Sequence, residues 1–286
     1  MIEEDRELRL LVDAALREDI GIGDVTTMAC VPESARGTGR IRSRGSGVVS
    51  GTDAAALVFR TLDERLVVAV CRPDGRKVGP GDEVLRVSGP LRRILTGERV
   101  ALNFLTHLSG IATLTARFVE AAGGTCAVYD TRKTLPGLRR LEKKAVVDGG
   151  GVNHRNALDA AILIKDNHLA AAGSMEEAVR RVRAVHGDRE IILEVEDEAE
   201  ALRGAALGVT HLLLDNMTPD AVRSAAASLE AAGLRPFLEV SGGVTLETVS
   251  LFAAAGADAV SVGALTHSAP ALDLGLDVDP IDEERR

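Results

Sequence analysis

The 286 residues carry a net charge of −9, with 45% hydrophobic and 27% charged side chains. That balance is ordinary for a globular chain and excludes disorder as its main state. The acidic surplus argues against a general nucleic-acid or anionic-membrane surface, and no uninterrupted apolar run reaches membrane-spanning length. Aromatics are only 2%, with no Trp. Ala, Val, Leu and Ile must therefore fill the core, which suits helices packed on a parallel sheet. Cys30, Cys71 and Cys126 are too far apart for a zinc knuckle or a CxxC pair. They read as small buried apolar residues in a reducing compartment. The acidic start, MIEEDRELRL, lacks the apolar stretch of a signal peptide, so a cytoplasmic location is expected.

In chain order, residues 4–18 read as an amphipathic helix. Residues 37–51 and 66–90 are short β-branched runs split by Gly, Pro and Asp-Gly turns. From about Thr96 the texture changes. ERVALNFLTHLSGIATLTARFVEAAGG has helical apolar spacing and closes on glycines. Six short strands then alternate with amphipathic helices: residues 126–133, 161–168, 191–197, 211–217, 236–243 and 259–264. Continuous apolar strands alternating with helices predict a parallel sheet covered on both faces. The number of β/α units favours a barrel over an open doubly wound sheet, and no GxGxxG follows the first strand.

The chemistry lies where each predicted strand ends. These ends read Asp130-Thr131-Arg132-Lys133, Lys165-Asp166-Asn167-His168, Glu194 with Glu196, Asp215-Asn216, Glu239 with Ser241-Gly242-Gly243, and Gly263. In a parallel barrel all such ends share one face, where active sites form. Lys165 closes a buried-looking strand and needs a partner or an anion. It reads as a Schiff-base lysine, as a ligand for carboxylate or phosphate, or as one half of a structural ion pair. Glu194 and Asp215 fall one strand apart, where two carboxylates suit Mg²⁺. Ser241-Gly242-Gly243, before a helix expected near Thr245, and the neighbouring Gly263 suit a phosphate.

Between residues 132 and 165 there are eight Lys/Arg against three acids, a local charge of +5 in an acidic chain. A small polyanionic ligand is the reading. Arg132 and Arg155 suit carboxylates, His154 suits an anion as a donor, and Lys133 adds charge. Arg139, Arg140, Lys143 and Lys144 read as the solvated face of a helix.

Together these segments resemble the quinolinate phosphoribosyltransferase family, the carboxylating nicotinate-nucleotide pyrophosphorylases. The similarity is carried by ALREDIGIGDVTT, ERVALNFLTHLSGIAT, DTRKTLPGLRRLEKKAVVDGGGVNHR, LIKDNH, LEVE, LLLDNM, EVSGG and SVGALTHS, in order across residues 10–275. A molybdenum-transport relative and nicotinate phosphoribosyltransferase share the architecture more loosely. The resemblance implies an α/β fold: an N-terminal α/β sandwich domain over residues 1–108, with the tail 270–286 packed back on it, and an incomplete (β/α) barrel over residues 109–269. It implies a homodimer, or a higher assembly of dimers, in which Arg99 reaches the other subunit's quinolinate. Arg132, His154, Arg155 and Lys165 would hold the two carboxylates, and Lys133 would lie beside phosphoribosyl pyrophosphate. Glu194 and Asp215 would organise Mg²⁺, while Ser241, Gly242, Gly243 and Gly263 would cradle the 5-phosphate. His107 and Val240 depart from the motifs as the family is expected to carry them. The competing readings are a barrel aldolase using Lys165, a relative with another acceptor, and a non-catalytic sensor of phosphorylated metabolites.

Overall fold

The computed structural model describes the backbone of residues 2–281 and the side chains of residues 6–279. In chain order the elements are α1 (Ile2–Ile20), α2 (Val25–Cys30), β1 (Arg36–Ser43), β2 (Gly47–Val48), α3 (Thr52–Leu62), β3 (Val67–Val70), β4 (Lys77–Val78), β5 (Glu83–Pro90) and α4 (Leu91–Ala121). There follow β6 (Ala127–Tyr129), α5 (Arg139–Asp148), β7 (Ile162–Ile164), α6 (Asp166–Ala172), α7 (Met175–His186), β8 (Ile191–Val195), α8 (Glu198–Ala206), β9 (His211–Asp215) and α9 (Pro219–Ala231). The chain closes with β10 (Phe237–Ser241), α10 (Val249–Ala254), β11 (Ala259–Ser261), α11 (Ala264–His267) and β12 (Leu274–Ile281). Among the described residues no helix is long and apolar enough to cross a membrane.

Two compact units emerge, one of residues 1–114, 136–150 and 269–286, the other of residues 115–135 and 151–268. The first holds an antiparallel sheet in the order β12-β1-β5-β3. Its C-terminal strand pairs with β1 along its whole length, from Arg36 opposite Ile281 to Ser43 opposite Leu274. Residues 282–286 of the expected tail lie outside the described residues. Phe59, Ile41, Leu85 and Ile94 are fully buried in this unit.

The division differs from a cut at residue 108 in one instructive way: α5, from the middle of the basic island, belongs to the first unit. Its Leu141, Glu142, Lys143, Ala145 and Val146 are buried, so the expectation of a solvated face is corrected for Lys143 alone among the four basic residues. Arg140 and Lys144 stay exposed, and Lys144 donates to Asp74 at 2.6 Å and Asp148 at 2.8 Å. Asp148 in turn accepts from Ser50 Oγ at 2.7 Å. His107, one of the two departures, sits 2.8 Å from the buried Glu142 carboxylate. The unusual imidazole thus answers an otherwise expensive buried charge.

The second unit is a six-stranded, all-parallel sheet in the order β6-β11-β10-β9-β8-β7. The first strand lies beside the last, and the order then runs back to the second. That is a barrel opened between β6 and β7, not a doubly wound sheet, whose order reverses at a switch point. A parallel bridge from Tyr129 to Val152 continues the sheet on the free side of β6. Ser174, Asp197 and Thr218 cap α7, α8 and α9, each accepting from a backbone N–H three residues on. Pro219 at the start of α9 completes the set.

The strands are not uniformly apolar, as the sequence reading assumed. Parallel register gives each unit face a distinct chemistry. Ile162, Ile164, Ile191, Leu193, Val195, Leu212, Leu214, Leu238, Val240 and Val260 share one face. Helix α8 approaches it so closely that a Cβ on Gly204 would lie 2.7 Å from Leu193 Cδ2. Val240, the second departure, is fully buried there. The opposite, inner face carries the polar groups.

Candidate active site

Register builds the site row by row. Glu194 pairs with Leu213, Leu213 with Glu239, and Glu239 with Ala259. Lys165, one residue past the end of β7, extends the same row. Two residues further along the strands, Asp215, Ser241, Ser261 and Tyr129 form the next row. Side chains two apart on a strand share a face, so both rows point inward. Eleven of the twelve residues singled out from the sequence therefore lie in the second unit, at the C-terminal ends of parallel strands. Arg99 is in the first unit, exposed on α4.

Lys165 Nζ donates to Glu194 Oε2 at 2.5 Å, with Glu194 buried and Lys165 partly open. The strand expected to run to residue 168 stops at Ile164, and Asp166 begins α6. His168 Nδ1 accepts the Lys165 N–H at 2.9 Å, which fixes this corner. Asp215 Oδ2 accepts from Asn216 Nδ2 at 2.7 Å. Among the described residues Asn216 is the one non-glycine with positive φ, +55°. Its N–H bonds to Ser241 O at 2.8 Å, tying the ends of β9 and β10 together.

The Ser241-Gly242-Gly243 turn is left-handed at both glycines, φ +88° and +64°. A Cβ on Gly242 would overlap the Asn216 amide, whereas one on Gly243 would meet open space. The helix expected near Thr245 instead begins at Val249 and has only six residues. The turn thus offers backbone N–H groups through glycine conformation and not through an adjoining helix end. At Gly263 the stem of Lys133 and the ring of His267 close in, with Lys133 Cδ 3.0 Å and His267 Nε2 3.2 Å from where a Cβ would stand. Thr266 Oγ1 donates to Lys133 O at 2.8 Å, locking that loop.

On the other side of β6, His154 N donates to the fully buried Asp130 at 2.8 Å, and Arg155 N donates to His154 Nδ1 at 2.7 Å. Arg155 also donates through NH1 to Ala161 O at 3.1 Å. Burial and the neighbouring Arg132 guanidinium both lower the Arg155 proton affinity.

Beneath these groups sits a carboxylate that the sequence reading counted only as a polar strand end. Glu239 is fully buried. It accepts from His211 Nε2 at 2.8 Å and from Ser261 Oγ, and faces His154 Nε2 at 3.4 Å. Burial would raise its pKa, yet the contacts from His154, His211 and Ser261 outweigh burial and hold it at about 2. His211, Ser261 and His267 were missed. Strict alternation in His211/Leu213/Asp215 and Ala259/Ser261/Gly263 was the available signal for the first two. Among the cysteines only Cys126 is buried; Cys30 is exposed and Cys71 intermediate, which corrects the uniform reading. A separate cavity of about 700 Å³ opens at the N-terminal ends of β9 and β10, lined by Thr210, Arg235, Phe237 and Asp258 among others. None of the predicted site residues lines it.

Comparison with known proteins agrees with this geometry. Residues 24–109 match the quinolinate phosphoribosyl transferase N-terminal domain, and residues 111–277 match the C-terminal domain of the same family. The chain is 43% identical over 271 residues to the nicotinate-nucleotide pyrophosphorylase (carboxylating) of Mycobacterium leprae (strain TN), covering 92% of this chain and 94% of that one. It is 39% identical over 274 residues to a probable enzyme of the same name from Bacillus subtilis (strain 168), covering 95% and 93%. Among solved structures, NadC from Streptococcus pyogenes superposes with a TM-score of 0.89 at 40% identity, covering 95% of this chain and 96% of that one. The nicotinate-nucleotide pyrophosphorylase from Francisella tularensis gives 0.90 at 33% identity, with 96% of each covered. With both domains matched in order and a basic, carboxylate-lined site at the strand ends, this chain belongs to the quinolinate phosphoribosyl transferase family.

Proposed function

We propose that the protein transfers phosphoribosyl from phosphoribosyl pyrophosphate to quinolinate, with loss of CO₂, giving nicotinate mononucleotide and pyrophosphate for NAD biosynthesis. The observation that carries this reading is the basic cluster at the strand ends, where Arg155, anchored to the Ala161 carbonyl at 3.1 Å, has the Arg132 guanidinium as a neighbour. Lys165, bound to Glu194, lies on the same inner face as Asp215 and Ser241. A dicarboxylate suits such a cluster better than a monocarboxylate.

In the reaction, the quinolinate ring nitrogen bonds to C1 of the ribose as the C1–O bond to pyrophosphate breaks. The pyridinium so formed draws in the electrons of the bond to the C2 carboxylate. CO₂ departs and a proton replaces it at C2. Arg132, Arg155 and Lys165 hold the carboxylates, and Arg99 of a second copy completes the set. Lys133 beside Gly263, together with Ser241, Gly242 and Gly243, holds the 5-phosphate. Fixed positive charge near the leaving group and fixed positioning are the main contributions of the protein.

Magnesium fits the donor set. Glu194 and Asp215 are oxygen ligands on one face of adjacent strands, and Mg²⁺ commonly takes one or two carboxylates plus substrate phosphates and waters. Among the described residues no group of three or more His, Cys, Asp or Glu converges on a metal position. The ion would neutralise charge on the pyrophosphate.

A homodimer, alone or within a higher assembly, is part of the same reading, in a cytoplasmic setting. Exposed Ile22, Val25 and Met28 along one short segment favour a covered surface. Lys165 paired with Glu194 does not favour the aldolase reading, since a Schiff-base amine must be neutral. The test is direct. Protein supplied with quinolinate, phosphoribosyl pyrophosphate and Mg²⁺ should release nicotinate mononucleotide, CO₂ and pyrophosphate, and chelation should stop it. Turnover with nicotinate but none with quinolinate would reject the substrate.

A further inference from the structure

Lys133 leaves β6 on a loop that is held at two points. At the strand ends Val262 N donates to Tyr129 O at 2.9 Å, which zips β11 to β6. The loops beyond meet again at Thr266, which is 1% exposed. A threonine hydroxyl in a helical turn ordinarily returns to a carbonyl three or four residues back. Here that carbonyl, Gly263 O, already accepts the N–H of Thr266 at 3.1 Å and of His267 at 3.2 Å, and lies 3.2 Å from the hydroxyl. Lys133 O is closer, at 2.8 Å, and takes the hydroxyl proton. Among the described residues no other group donates to that carbonyl. Gly263 supplies the second hold. Its φ of −64° and ψ of −31° suit any residue, so the backbone does not demand glycine. The space does: a Cβ there would stand 3.0 Å from Lys133 Cδ, with His267 Nε2 3.2 Å from the same point. The lysine stem therefore runs across the bare Cα, walled by the imidazole. Its ammonium is exposed and is bound to no carboxylate of the described residues.

We propose that Thr266 is a positioning residue for Lys133. Its hydroxyl pins the Lys133 carbonyl while Gly263 carries the stem, and together they aim the ammonium at the donor's 5-phosphate before any ligand arrives. The proposal rests on the phosphoribosyl reading for the identity of that phosphate. Lysine has a long flexible stem, and holding it in advance lowers the ordering cost of binding. Gly263 then has a reason to be glycine beyond admitting a phosphate to its backbone: a side chain there would lift the Lys133 stem.

A double-mutant cycle separates aiming from general support, because a residue that acts through Lys133 has nothing left to aim once that side chain is gone. Ribose 5-phosphate is the probe, with its dissociation constant read by calorimetry. Loss of one positioned hydrogen bond corresponds to about a tenfold change. Thr266→Val keeps the shape, lacks the donor, and should weaken ribose 5-phosphate about tenfold, with KM for quinolinate unmoved. Thr266→Ser restores the hydroxyl and should recover most of that loss. In a Lys133→Ala background Thr266→Val should cost less than about twofold more. Gly263→Ala, whose backbone is unstrained, gives a second arm: its penalty should shrink in the same background as the stem it displaces is removed. Wild-type affinity in Thr266→Val, or an equal loss from it with and without the Lys133 side chain, would overturn the proposal. So would a Gly263→Ala penalty that is the same in both backgrounds, since the glycine would then serve the phosphate alone. If the wild type binds ribose 5-phosphate but does not turn over quinolinate, the functional reading falls, and the cycle still decides the role of Thr266.

Discussion

Gly242 is where backbone conformation and site chemistry meet, and its replacement by alanine has a calculable result. At φ +88° a Cβ costs about 1–2 kcal/mol by conformation alone. The same cost applies to Gly243→Ala at φ +64°, where a Cβ meets nothing within 4 Å. At Gly242 the Cβ would also overlap Asn216 Oδ1 and come within 2.7 Å of Asn216 Cγ. Asn216 cannot retreat as a unit, because its N–H is bonded to Ser241 O at 2.8 Å. Its amide must swing away, releasing the 2.7 Å hydrogen bond to Asp215. A hydrogen bond to a charged acceptor is worth about 1.5–3 kcal/mol, reduced here to about 1–2 because Asp215 is partly exposed. Gly242→Ala should therefore be less stable than Gly243→Ala by about 1–2 kcal/mol, roughly 3–6 °C in Tm at this size. Thermal unfolding of both variants without ligand measures it. The Mg²⁺ concentration for half-maximal activity should also rise in Gly242→Ala as Asp215 loses its orienting amide. Equal Tm values for the two alanines would refute the argument that Asn216 dictates this glycine.

Three other outcomes are expected. Lys165→Ala leaves the Glu194 carboxylate unpaired in the site and should lower kcat/KM by about 100-fold or more; steady-state rates like those of the wild type would remove Lys165 from the chemistry. Lys144→Met should destabilise the first unit by about 1–2 kcal/mol, since Asp74 and Asp148 lose their shared cation; urea unfolding checks it. Burial pushes the Asp74 pKa up, but the Lys144 ammonium and the hydrogen bonds from Thr52 together hold it below the usual carboxylate range, so that stabilisation is present above the unfolded carboxylate pKa and lost as pH falls below about 4. Glu239, held at about 2, likewise stabilises the fold above about pH 4.3 and ceases to do so as pH drops toward 2. Stability curves of Glu239→Gln should be flatter than those of the wild type across that window, and parallel curves would show that Glu239 does not titrate with folding.

The sequence by itself determined the alternation of short strands and helices, the order of the two domains, and the identity of nearly every group at the strand ends. Turn glycines, N-cap residues and apolar spacing act over a few residues, so each is legible locally. Three things were not. Strands of three to five residues are too short to display alternation clearly, so the polar inner face of β8, β9, β10 and β11 read as a uniform apolar run. The partners of Glu239 lie 22, 28 and 85 residues away in the chain, and only strand register brings Ser261, His211 and His154 to it. Helix α5, rich in Lys and Arg, looked solvated. Packing decided that Glu142 and Lys143 are buried, with His107, remote in the chain, answering the Glu142 charge. Local propensity fixes what each segment can become, but which polar side chains lose water depends on the neighbours that packing supplies, and those neighbours come from distant parts of the chain.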